Sequence, residues 1–180
     1  MRTIITIILL FFLAIGMKAQ NADVSKIRKL YSDAKTIIEK GDPELPPEMS
    51  VNKTTVTSRY MAPGSGIIND VINYYYFLPD DDETDNPSYR LYFITRNSND
   101  GYYDYCEEFL FDNNSLVFYY CKRTEQQGER KSSVTRYYYQ PEKGLIHTIA
   151  SDGPIMDDVF AMRLADDLKE AFNKLLNRDY

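Results

Sequence analysis

The chain has no tryptophan, one histidine (His147) and two cysteines (Cys106 and Cys121), and each shortage removes a class of chemistry. With one histidine and no Gly-x-Ser-x-Gly, a serine hydrolase lacks both a ready base and its nucleophile elbow. Gly64-Ser65-Gly66 is flanked by Pro63 and Ile67 and reads as a turn. Two thiols and one imidazole from distant segments give at most three ligands, too few for a structural metal site, and no Cys-x-x-Cys marks a redox centre. No metal or cofactor is expected. The missing indole also removes the largest platform for stacking sugars. No apolar run reaches the roughly 18 residues of a spanning helix, so no transmembrane span is expected.

What is present begins with the first nineteen residues. Arg2 precedes a 12-residue apolar run over residues 4–15, and Gly16 to Ala19 supply small residues for cleavage, best placed between Ala19 and Gln20. This is the anatomy of a secretory signal peptide. The expected organisation is a signal peptide over 1–19 and a single domain over 20–180, secreted or periplasmic. Removing Arg2 and Lys18 with the leader takes the basic count from 21 to 19 against 27 acidic residues, a formal net charge of −8. Such a surface is repelled by nucleic acid and by anionic lipid. Nucleic acid is therefore not an expected partner.

Apolar residues recur at helical spacing over 21–40: Val24, Ile27, Leu30, Tyr31, Ala34, Ile37 and Ile38. Asn21 or Asp23 is the expected cap, and Gly41-Asp42-Pro43 the stop. Residues 44–50, with Pro46-Pro47, read as an extended connector. The pattern then changes to β. Segments 51–61, 67–78, 89–96, 102–111, 116–123, 134–140 and 145–150 are rich in Tyr, Phe, Val, Ile and Thr and bounded by turn residues. A final helix carries Phe160, Leu164, Leu168, Ala171, Phe172, Leu175 and Leu176 on one stripe. The expected fold is α+β: an antiparallel meander of about seven strands, with both helices packed on one sheet face.

The segment around Asp112-Asn113-Asn114-Ser115 is the strongest hairpin signal. A turn centred between Asn113 and Asn114 sets Phe109 opposite Phe118, Asp104 opposite Arg123 and Cys106 opposite Cys121. Directly opposed residues lie about 4.5 or 5.5 Å apart at Cα, within disulfide reach. In an oxidising compartment a Cys106–Cys121 disulfide is expected. The same register puts Cys106, Glu108, Leu110, Val117 and Tyr119 on one side, assigned to solvent.

Sixteen tyrosines invite a recognition surface. Tyr119, Tyr75 and Tyr138 are the expected outward members, contacting a protein or other macromolecule. Catalytic residues are not expected, and the reading is a non-catalytic binding domain. The rivals are a hydrolase using scattered carboxylates (Asp104, Glu107, Glu108, Asp152) and a carrier of an apolar ligand held between sheet and helices. The acidic run from Asp80 to Asn86 starts like a calcium loop, but Asp85 and Leu91 stand where its glycine and glutamate belong.

Overall fold

A computed structural model of the chain describes residues 2–40, 51–78, 89–151 and 156–176, with side chains from Asn21 onward. Helix α1 (Arg2–Lys40) leads into seven strands: β1 (Asn52–Ala62), β2 (Gly66–Phe77), β3 (Arg90–Asn99), β4 (Tyr103–Asp112), β5 (Ser115–Glu125), β6 (Ser132–Gln140) and β7 (Gly144–Ala150). Helix α2 (Asp158–Leu176) follows the last strand. The strands pair in sequence order in one antiparallel sheet, the meander the alternation predicts. The expected connector, the acidic run and Asp152 lie outside the described residues.

The helices do not share a face. α1 buries Val24, Ile27 and Ala34 against Phe93, Leu110, Val117, Phe118 and Tyr138. α2 buries Ala161, Ala165, Leu168 and Phe172 against Tyr74, Tyr76, Ile94, Phe109, Phe111, Tyr119, Tyr137 and Tyr139. Leu110 and its neighbours Phe109 and Phe111 thus serve opposite cores, so the sheet is the middle layer of a three-layer sandwich. The expectation of one shared face fails because β2 to β6 are apolar on both sides, the signature of a sheet covered twice.

Two details of α1 and α2 also differ from the reading. α1 runs unbroken through Asn21 and Asp23, so neither caps it. On α2 the buried stripe is Ala161, Ala165, Leu168 and Phe172, while Phe160 and Ala171 are exposed. Two alanines at the N-terminal end let the helix approach the sheet closely, and Phe172 fills the wider end against Tyr74 and Tyr76, with ring centroids 5.6 and 5.3 Å away.

Register decides the rest. Asn113 and Asn114 both have positive φ (48° and 62°), the two-residue turn whose twist suits a tight hairpin. Phe111 pairs Leu116 and Asp112 pairs Ser115, as the turn dictates. A bulge then inserts Val117, and beyond it Leu110 pairs Phe118, Glu107 pairs Cys121 and Cys106 pairs Lys122. One extra residue sends everything further along β5 to the other face. Cys106 therefore lies on the α1 face and Cys121 in the α2 core, and both are free thiols. The expected Cys106–Cys121 disulfide does not form, because side chains on opposite faces cannot be bridged.

Candidate functional site

The bulge also redistributes the tyrosines. Tyr119 is 0 % exposed in the α2 core, whereas Tyr138 is 2 % exposed under α1 and Tyr75 is half-buried on that same face. The three expected surface residues do not form one surface. Tyrosine here is mainly a core residue with a bonded tip: Tyr76 to Thr54, Tyr137 to the Met156 carbonyl, and Tyr138 to Arg28.

Tyr119 belongs to a polar row running diagonally through four strands on the α2 face. Its hydroxyl donates to Glu107 Oε1 at 2.6 Å. Arg96, directly opposite Glu107 across β3 and β4, donates from Nη1 to Glu107 Oε2 at 3.0 Å. Its Nε and Nη2 grip Asp70 at 2.9 to 3.1 Å. Glu107 is 1 % exposed. Burial pushes its carboxyl above the ordinary 4.5, against the pull of Tyr119 and Arg96. Burial, reinforced by Glu107, keeps the Tyr119 hydroxyl protonated and fixed as a donor. Burial also works against the Arg96 charge, but Asp70 and Glu107 outweigh it and raise its pKa.

Arg96 and Glu107 form the floor of a cleft of about 390 Å³. Its walls come from the β1–β2 turn, the β3–β4 loop and the start of α2. The first two approach each other closely at Gly101: a Cβ there would stand 2.1 Å from the Ser65 carbonyl oxygen, so only glycine fits, and its φ of +88° demands it as well. Beside it, Asp100 accepts from the Tyr102 and Tyr103 amides at 2.9 and 2.8 Å and from the Tyr105 hydroxyl at 2.7 Å. Burial opposes the Asp100 charge, but these donors hold its carboxyl below the usual 3.8. The rim is apolar and open, with Tyr60 55 % and Phe160 49 % exposed.

The carboxylates of the hydrolase rival are separated. Glu107 points into the α2 face. Glu108 points into the α1 face, where Tyr31 and Lys35 bind it, Lys35 at 3.0 Å. Asp104 is exposed and accepts from Gln126 at 2.8 Å. His147 packs half-buried beside Tyr138. Among the described residues no three His, Cys, Asp or Glu side chains are grouped to hold a metal ion, and no helix is long and apolar enough to cross a membrane.

A second cleft, of about 300 Å³, lies on the other side of α2 between the β4–β5 and β6–β7 turns. Two of its lining residues carry buried atoms without a hydrogen-bond partner among the described residues, Tyr139 Oη and Gln140 Oε1.

Asp70, Arg96 and Asp100 were not singled out by the sequence. Their signal is a charge placed mid-strand between apolar neighbours, as in Ile94-Thr95-Arg96, where an unpaired charge is costly and so implies a partner. No protein-family model matches the chain, and no curated protein or solved structure is significantly similar to it.

Proposed function

We propose that this chain is a secreted or periplasmic binding domain without catalysis, and that a protein partner inserts an apolar side chain into the cleft bounded by Tyr60 and Phe160. The observation that carries this reading is the arrangement of the acids. Glu107 and Glu108, adjacent in sequence, are turned to opposite faces and tied up by different partners. A hydrolytic pair must converge across a gap of about 5 to 9.5 Å that admits substrate. By contrast, exposed aromatics round a firm polar floor are what a recognition site needs. The carrier reading has less support, since both helix–sheet interfaces are filled by buried aromatic side chains. Export rests on the composition of residues 1–19, and N-terminal sequencing of the protein from envelope and culture fluid tests it, with Gln20 expected first.

The binding reading is tested by comparing wild type with the Tyr60→Ala, Phe160→Ala double variant as immobilised bait. A protein retained by the first and lost by the second, with thermal unfolding unchanged, supports it. Turnover of a glycoside, ester or peptide substrate that Glu107→Gln abolishes would instead establish the hydrolase.

A further inference from the structure

The sheet ends in two open edges, and they are built differently. β7 is seven residues long, its pairing is broken by a bulge at Tyr138/Tyr139, and Ile146 and Ile149 pack toward α1. Short, bulged and partly covered strands are how sheets protect an edge. β1 is neither short nor bulged, and Val56 packs against the α2-face core. It is eleven residues long, pairs with β2 in unbroken register from Asn52 to Ala62, and is exposed at Thr55 and throughout residues 57–61. Among the described residues it pairs with no other strand. From Lys53 onward, every second residue holds its N–H and C=O away from β2.

The side chains on this edge are selective. Lys53 and Arg59 have the same parity, so both lie on the α1 face of the strand, about 20 Å apart at six residues' separation. Thr55 and Thr57 lie between them. β1 carries no acid, in a chain whose formal net charge is −6. Lys53 is exposed, with its ammonium 5.7 Å above the Tyr75 ring on that face. A second copy is a poor occupant. Pairing β1 antiparallel to itself along its full length sets Lys53 of each copy diagonal to Arg59 of the other. Shifting that register by two residues brings them directly opposite, where like charges repel.

The geometry points to β1 as a strand-addition site for an extended segment of another protein that carries two carboxylates six residues apart. Main-chain hydrogen bonds supply the affinity and the paired charges the register. Residues of the added strand facing Lys53 and Arg59 are acidic, with small or β-branched residues between them. Its other face lies beside half-buried Val56 and exposed Tyr60. This surface uses the β1 backbone, Lys53 and Arg59. It does not depend on the cleft reading, whose Tyr60 and Phe160 stay unchanged in the test.

Three nine-residue probes of alternating Thr and Val test the idea against the isotope-labelled chain. One carries Glu at positions 2 and 8, one Glu at positions 2 and 7, and one Lys at positions 2 and 8. The first should shift the β1 amides and bind about tenfold more tightly than the other two, as expected where charge complementarity fixes register. Lys53→Glu with Arg59→Glu should reverse the preference toward the lysine probe. Thr57→Pro and Ser58→Pro are a matched pair, since only one of these amides points outward. That one should abolish binding and leave unfolding unchanged, because edge positions tolerate proline. Should both proline variants unfold, the charge-reversal pair still decides the matter. Equal affinity for the three probes, or shifts confined to another surface, would overturn the proposal. So would a concentration-dependent dimer with broadened β1 amides, which assigns the edge to a second copy.

Discussion

Glu107 and Glu108 stand back to back in β4, and the two faces of the sheet satisfy them in different ways. Glu107 is held by Arg96 of β3 and Tyr119 of β5, with Asp70 of β2 behind the arginine, so every partner belongs to the sheet. Glu108 is held by Tyr31 and Lys35, both on α1. The first arrangement is an internal tie across four strands in which Glu107 takes no partner from a helix. The second is a clamp that exists only while α1 is seated. Buried acids on one strand can thus stiffen a layer or join two layers, depending on where the partner comes from.

The sharpest way to break this contrast is to remove the basic partner on each side. Arg96→Met leaves Glu107 and Asp70 without their cation in a buried setting and should cost about 3–5 kcal/mol in urea unfolding. Lys35→Met removes a cation that is itself about a third exposed and should cost under about 1 kcal/mol. Similar losses in the two variants would mean that the α1 clamp is as firm as the sheet tie. On the apolar side, Phe172→Ala removes the ring that fills the wide end of the α2 interface. By the general cost of emptying a buried aromatic site it should lose about 3–5 kcal/mol. Leu168→Ala should lose about 2–5 kcal/mol, and an unchanged midpoint in both variants would show that α2 is not docked through this stripe.

A smaller effect separates two tyrosines of the same core. Tyr119→Phe deletes a donor to a buried carboxylate and should cost about 1.5–3 kcal/mol. Tyr139→Phe deletes a hydroxyl without a partner among the described residues and should be neutral or slightly stabilising. Thermal melts of the two variants side by side would sharpen the distinction between a bonded tip and an orphaned one.

pH gives a finer probe of Glu107. The folded protein holds its proton more tightly than the unfolded chain, so its contribution is largest at low pH. That contribution is lost as pH rises from the unfolded value of 4.5 through the raised folded one. The stability margin of wild type over Glu107→Gln should therefore shrink between pH 4 and pH 7, and a margin that grows would show Arg96 outweighing burial. The smallest expected effect is chemical. Two thiols should titrate in the denatured, unreduced protein. In the folded state half-buried Cys106 should take up maleimide before Cys121, which is 3 % exposed and whose pKa burial and Glu107 push up to about 12.

The seven strands and both helices were legible because alternation and turn residues carry them. The faces were not. Leu116-Val117-Phe118 and Leu91-Tyr92-Phe93 are each three apolar residues in a row, and in each the middle residue is a bulge. A bulge inside an apolar triplet leaves no compositional trace, yet it exchanges the two sides of everything beyond it. That one shift accounts for the unformed disulfide and for Tyr119 lying on the α2 face rather than on the side of Cys106, while its burial follows from the sheet being covered on both faces. The two-sided burial did have a signal. Phe109-Leu110-Phe111 is apolar at consecutive positions, which a sheet wetted on one side does not need. The Asp70–Arg96–Glu107 row spans three strands, and no local spacing records it.

The strictly sequential order of the strands has a consequence for how the molecule is assembled. Each strand finds its partner in the segment next to it, so the sheet can grow one hairpin at a time with only short loops to close. α1 is the exception. The residues that receive Ile27 and Ala34 include Val117, Phe118 and Tyr138, which leave the ribosome long after the helix does. α1 is therefore seated only after strands synthesised well after it. Until β5 and β6 are in place, its apolar stripe has no home within the chain and stays available to whatever handles the nascent protein.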